Sequence, residues 1–163
     1  MLTSGEYEAL LQFLGTSACV IDCTFPAADG EAGLREALTR IRREAEQRVR
    51  EGCTHVFLTD EKQGPDRAYI PMILATGAVH THLVATSLRT FTSLNVRTAE
   101  SLDVHAIAVM IGVGATTVNA YLAQESIADR HRRGLFGDIS LRTAVERYRK
   151  AIDKGLLLSL IHI

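Results

Sequence analysis

Apolar positions along the chain recur in two rhythms, and the alternation between them predicts a layered architecture. From Ser4 to Leu14, the residues Leu10, Leu11 and Leu14 share one face, and Thr3 or Ser4 can cap the helix start. Residues 18–25, "ACVIDCTF", are rich in β-branched and aromatic side chains and stop at Pro26, which reads as a strand. Over residues 31–50 the series Leu34, Leu38, Ile41, Ala45, Val49 advances by three or four with charges between, the mark of an amphipathic helix, and Gly52 follows as its stop. "THVFLTD", residues 54–60, is a second short strand closed by Gly64 and Pro65. Pro71 opens a helix reaching Leu88 that is apolar nearly all round, and therefore buried. Residues 89–98 alternate as a third strand, and Ser101 is placed to cap a helix over 102–111. "GVGATTVN" then runs from a helix stop into a fourth strand at 116–119.

Repeated strand, helix, strand units predict an α/β fold: a mostly parallel sheet of about four strands with helices on both faces. Residues 124–139 are polar and punctuated by glycine, and read as a linker leaving a sheet region of residues 1–123. A last amphipathic helix follows within residues 140–157.

Composition narrows the class without changing this picture. The 163 residues suit one domain, and 47% apolar with 23% charged side chains excludes a disordered or fibrous chain. Eighteen basic against 19 acidic residues leave net −1, so no nucleic-acid footprint is expected, and "RHRR" at residues 130–133 reads as a solvated loop. Cys19, Cys23 and Cys53 match no zinc, iron–sulfur or C-x-x-C spacing and read as reduced thiols. With no signal peptide or long apolar run in view, a soluble, cytoplasmic protein without membrane partners is expected.

Candidate chemistry is sparse. His80 and His82 sit two residues apart on an expected helix, so their side chains project about 200° from one another and cannot chelate one ion, which takes a spacing of four. They are expected to be buried packing or interface residues, as is His105 on the following helix. The glycines of "GVGATT" fit an αβ turn better than a phosphate loop, because the third glycine of a dinucleotide fingerprint is missing. Parallel sheets concentrate function at the carboxyl ends of their strands. Asp22, Asp60, Arg97 and Asn119 fall there, as candidates for a binding or tunnel-edge site, although Asp and Asn also simply begin loops. No nucleophile with a base, paired carboxylates or metal cluster can be assembled, so no catalytic, cofactor-binding or metal-binding residue is assigned.

The stretches "VIDCTFPAADGEAGLREALTRI", "YIPMILATGAVHTHLVATSLRT", "DVHAIAVMIGVGATTVNAYLAQESI" and "YRKAIDKGLL" together resemble the large (alpha) subunit of glutamate synthase. The resemblance covers nearly the whole chain, placing it in the later part of that enzyme's central domain and the lead-in to its FMN-binding domain. Two motifs depart from the family: His80-Thr81-His82-Leu83 stands for His-His-His-Leu, and Asn119-Ala120-Tyr121-Leu122 for Asn-Pro-Tyr-Leu. The family makes L-glutamate from L-glutamine and 2-oxoglutarate. A glutamine amidotransferase domain releases ammonia, which is channelled to an FMN site fed with electrons through iron–sulfur centres by a small electron-transfer subunit or ferredoxin. The resemblance implies that this segment is a connector between the two active sites, with FMN and the iron–sulfur cluster held elsewhere in the parent chain and the segment alone inactive. Residues 158–163, "LSLIHI", are expected to be a tail foreign to the family. The alternative is a stand-alone α/β module that binds a small molecule or a protein partner without catalysis.

Overall fold

Thr3 starts the first helix, α1 (Ser4–Leu14), with a reciprocal capping box: its hydroxyl accepts from the Glu6 N–H, and the Glu6 carboxylate accepts from the Thr3 N–H. In the computed structural model, which describes residues 1–161, this helix is followed by the expected alternation of strands and helices. His162 and Ile163, the end of the expected tail, lie outside the described residues.

Strands β1 (Ala18–Asp22), β3 (His55–Thr59), β5 (Ser93–Thr98) and β6 (Thr117–Ala120) form one parallel sheet in that spatial order. The α/β class and the parallel four-stranded sheet expected from the residue pattern are therefore present. The first strand is shorter than expected. At Asp22 the carboxylate accepts from both the backbone N–H and the hydroxyl of Thr24, and the chain turns away. Residues Thr24–Pro26 (β2) instead pair antiparallel with Arg67–Tyr69 (β4), a small arm that the apolar pattern did not reveal.

Helix α2 (Gly30–Arg50) buries Gly33, Ala37, Ile41, Ala45 and Val49, every fourth residue, on the sheet. Small residues at three of these five positions bring its axis close. Helices α3 (Met72–Ala85) and α4 (Val104–Gly112) complete the layer on this face. Between them lies the core, where Ile21, Val56, Leu58, Leu94 and Val96 meet Ile41, Met72, Val79, Leu83 and Ile107. Each large aliphatic side chain sealed there contributes about 1.5–3 kcal/mol.

Alternate residues of the same strands face α1 and α5 (Tyr121–Arg132), and this second face is largely polar. His55 Nδ1 lies 2.8 Å from Ser93 Oγ; Asn95 Nδ2 donates to that oxygen at 2.9 Å and Asn95 Oδ1 accepts from Thr117 Oγ1 at 2.8 Å. Helix α6 (Leu141–Ile161) packs across α4 and α5.

Several expectations are corrected here. Residues 124–132 belong to α5, so the stretch read as linker is helical in its first half; its buried anchors, Tyr121, Ala123 and Gln124, lie at the very start, which left the remainder looking uniformly polar. Asp103, not Ser101, caps α4, accepting from the Ala106 N–H at 2.8 Å. Residues 89–91 form a short 3-10 turn and not the start of a strand, because the Arg89 guanidinium is drawn back to the Thr92 and Gly114 carbonyls. The third helix ends at Ala85, short of Leu88, with Ser87 at φ 58°.

Candidate functional site

Parallel register places Asp22 beside Thr59, Thr59 beside Arg97, and Arg97 beside Asn119, so three of the four strand-end candidates stand in one row on one face. The fourth, Asp60, is one residue past that row. The four do not converge on a common cavity.

Arg97 is the centre of the row. Its guanidinium lies 4.6 Å from the ring centre of Tyr7 on α1 and 5.5 Å from that of Tyr121 on α5. Its two terminal nitrogens pair with Glu8 at 3.1 Å and Glu61 at 2.8 Å. A cation held between two aromatic rings and two carboxylates is neutralised and desolvated at once. The arrangement fastens both helices of the polar face, and the loop after β3, to the end of β5. Tyr7 also meets Phe57 of β3 edge to face, with ring centres 5.4 Å apart.

Asp60 is fully buried and ties β3 to β5. Its carboxylate accepts from the Thr98 hydroxyl at 3.0 Å and from the Ala99 N–H at 2.9 Å. Burial raises its carboxyl above the ordinary aspartate range, with the Ala99 and Thr98 donors pulling the other way. Tyr121, whose hydroxyl accepts from Gln63 Nε2 at 3.0 Å, is pushed up to about 12 by burial.

Asn119 donates to the Leu2 carbonyl at 3.1 Å, and Gln124 Nε2 donates to the same oxygen. Asn119 Oδ1 is buried and has no hydrogen-bond partner among the described residues. Asp22 lies apart, half-buried, holding Arg67 at 3.2 Å and Lys62 at 3.6 Å. It borders a groove of about 650 Å³ with Arg35, Arg40 and Arg43. A second groove, about 780 Å³, runs along the outer side of α3 over Ile73, Leu74, Gly77, Ala78 and His82.

The histidines separate as their spacing requires. His82 Nε2 contacts Glu46 of α2 at 2.7 Å, whereas His80 Nδ1 accepts from Arg89 Nε at 3.0 Å and its ring lies against Gly114. Gly114 has φ +118°, and a Cβ there would strike the His80 ring, so a glycine ends this αβ turn for two reasons at once. His105 is exposed, contrary to the packing expected of it, because Ile107 and Met110 define the buried side of α4 and position 105 projects away from them. Among the described residues, no group of three or more His, Cys, Asp or Glu side chains is placed to hold a metal ion. No helix among them is long and apolar enough to cross a membrane.

The partners of Arg97 were the part not anticipated. Tyr7, Glu8 and Glu61 carry no spacing signal, and Tyr121 was marked only by its place beside Asn119. Comparison with known proteins now gives the site its context. The family model for the glutamate synthase central domain matches residues 1–160.

The chain belongs to the glutamate synthase central domain family. It is 64% identical over 157 residues to the glutamate synthase [NADPH] large chain of Azospirillum brasilense, covering 96% of this chain and 10% of that one. The ferredoxin-dependent glutamate synthase of Spinacia oleracea chloroplasts is 34% identical over 169 residues, again 96% of this chain and 10% of the relative. The glutamate synthase [NADPH] large chain of Bacillus subtilis is 36% identical over 137 residues, 84% of this chain and 9% of the relative. The chain thus spans about a tenth of the length of these relatives. The row at the sheet's carboxyl end joins α1, α5 and the loop after β3 to β5 through Arg97.

Proposed function

We propose that this segment is a structural connector of a glutamate synthase large chain, lying between the domain that releases ammonia from glutamine and the FMN domain that makes glutamate. The observation that carries this reading is the state of Arg97. At the edge of a parallel sheet where a ligand would ordinarily bind, the strongest cation is already consumed by Tyr7, Tyr121, Glu8 and Glu61. A side chain neutralised by its own fold braces; it does not wait for substrate. The parent enzyme, by the names of its relatives, would use electrons from a nicotinamide cofactor or ferredoxin, delivered through FMN and an iron–sulfur centre outside this segment.

Outward surfaces fit the same role. Ile73, Leu74 and Val84 of α3 and Phe13 of α1 are exposed, which suits a piece that is covered on several sides by the rest of a long chain. The test is direct. The purified 163-residue chain should copurify without flavin absorbance, show no glutamate formation from glutamine and 2-oxoglutarate, and give no thermal shift with FMN or 2-oxoglutarate. Stoichiometric flavin, or a shift of several degrees with either compound, would instead establish a binding module.

A further inference from the structure

We propose that Cys19 and Cys53 form a reversible intramolecular disulfide, making the amino-terminal edge of the sheet a site of thiol oxidation. The two sulfurs lie 2.8 Å apart, inside the separation at which two unbonded sulfurs rest. A disulfide needs about 2.05 Å, so closure requires a movement of less than about 1 Å. The backbone is already fixed for it. Cys19 lies on β1, paired with Val56 of β3, and Cys53 sits just before β3, where its N–H bonds the Arg48 carbonyl at 2.9 Å and the adjacent Thr54 N–H bonds Ser17 at 3.0 Å. Thiols held this way by β1 and by the turn that enters β3 lose little entropy on meeting.

Access and order of reaction also follow from position. Cys53 lines a surface cavity of about 460 Å³ with Val49, Gly52, Leu88 and Phe91, wide enough for a small oxidant. Cys19 is half-buried at the edge of the sheet beside Arg48 and Glu44, with its sulfur against that of Cys53 and away from the cavity, so it enters second. With a peroxide as oxidant, Cys53 loses its proton to solvent and its sulfur attacks one peroxide oxygen. The O–O bond breaks, hydroxide leaves and takes up a proton as water, and a sulfenic acid remains on Cys53. The Cys19 sulfur then attacks the Cys53 sulfur, the S–O bond breaks, and the departing hydroxide carries off the Cys19 proton as a second water. Two thiols are oxidised, and one peroxide is reduced to two waters. The bond closes a loop that contains the whole of α2, and a dithiol reductant reopens it by exchange. Cys23 has no such partner among the described residues: it is fully buried, its thiol donating to the Ile21 carbonyl at 3.7 Å.

The experiment treats the purified, reduced chain with an equivalent of hydrogen peroxide, then alkylates it in denaturant and digests it without reductant. Expected are one alkylated thiol in place of three, a peptide pair joining Cys19 to Cys53, and full recovery of three thiols after dithiothreitol. Cys23→Ser should keep the link and leave no alkylated thiol, whereas Cys19→Ser should lose the link. Three free thiols after treatment, a link through Cys23, a bond only between two chains, or overoxidised Cys53 beside free Cys19 would each overturn the proposal.

Discussion

Replacing Arg97 with alanine measures the brace at the sheet's carboxyl edge. The substitution removes two cation–π contacts, at 4.6 Å and 5.5 Å, from a guanidinium whose side chain is only 10% exposed. Such contacts are worth about 0.5–2 kcal/mol each, the upper end applying where water is excluded. Two ion pairs go as well, but Glu8 is 59% and Glu61 39% exposed, so screening limits them to about 0.2–1 kcal/mol each. The methylene stem adds buried apolar area. Arg97→Ala should therefore cost about 3 kcal/mol, seen as a lower urea midpoint and, for a chain of this size, as a fall in Tm of about 6–12 °C. Arg97→Met keeps the stem between the tyrosine rings and removes the charge, and should cost about half as much. Urea unfolding followed by circular dichroism reads both. If Arg97→Ala lies within about 0.5 kcal/mol of the parent chain, the guanidinium holds nothing together and is not consumed by the fold.

Asp60 gives a pH test whose sign is fixed by its raised pKa. The folded state favours the protonated carboxyl, so the Asp60 contribution is fully present below the ordinary aspartate range and is lost as pH rises through the raised folded value. Asp60→Asn, which cannot ionise, should gain stability relative to the parent chain between pH 4 and pH 7, and an equal difference at both pH values in urea unfolding would refute the assignment. Gly155 lies in the second half of α6, where a Cβ would fall 2.6 Å from Val104 Cγ2. Alanine gains about 1 kcal/mol in helix propensity but overpacks by about 1–3 kcal/mol, so Gly155→Ala should be net destabilising and should be rescued by adding Val104→Ala; a stabilised single variant in the same assay would show that α6 and α4 are not in close contact.

The parts of the fold legible in the sequence were those carried by local rhythm. The every-fourth-residue stripe of α2 and the β-branched runs of β1 and β3 are properties of a single segment, and each needs only to be buried once. The antiparallel arm of Thr24–Pro26 and Arg67–Tyr69 has three residues a side and no alternation to display. What makes it is an interaction across 43 residues, in which the Arg67 guanidinium donates to Thr24 Oγ1 at 2.9 Å. The candidate site divides in the same way. Placement at strand ends is topological, so Asp22, Arg97 and Asn119 could be aligned in advance; what each touches depends on α1 and α5 crossing the sheet there. Helix α5 was missed for a related reason: most of it is solvated, and only its first turn reports that it packs.

The polar face of the sheet decides register more than it decides stability. Valine, isoleucine and leucine on the other face would tolerate a shifted pairing, provided the shift kept them inward. The sequence His55, Ser93, Asn95, Thr117 has no such tolerance, because its two cross-strand bonds, His55 to Ser93 and Thr117 to Asn95, each 2.8 Å long, form at one alignment only. A slip of one residue would drive Asn95 into the aliphatic core unpaired, a cost of about 1–3 kcal/mol for that side chain alone. Buried polar chains that are fully satisfied specify one arrangement, and here the specified arrangement is the one that brings Arg97 level with Asn119 and beneath Tyr7 and Tyr121. The network at the middle of the sheet and the brace at its end are thus successive steps of one device: the first fixes which residues of β3, β5 and β6 stand side by side, and the second uses that alignment to fasten α1 and α5.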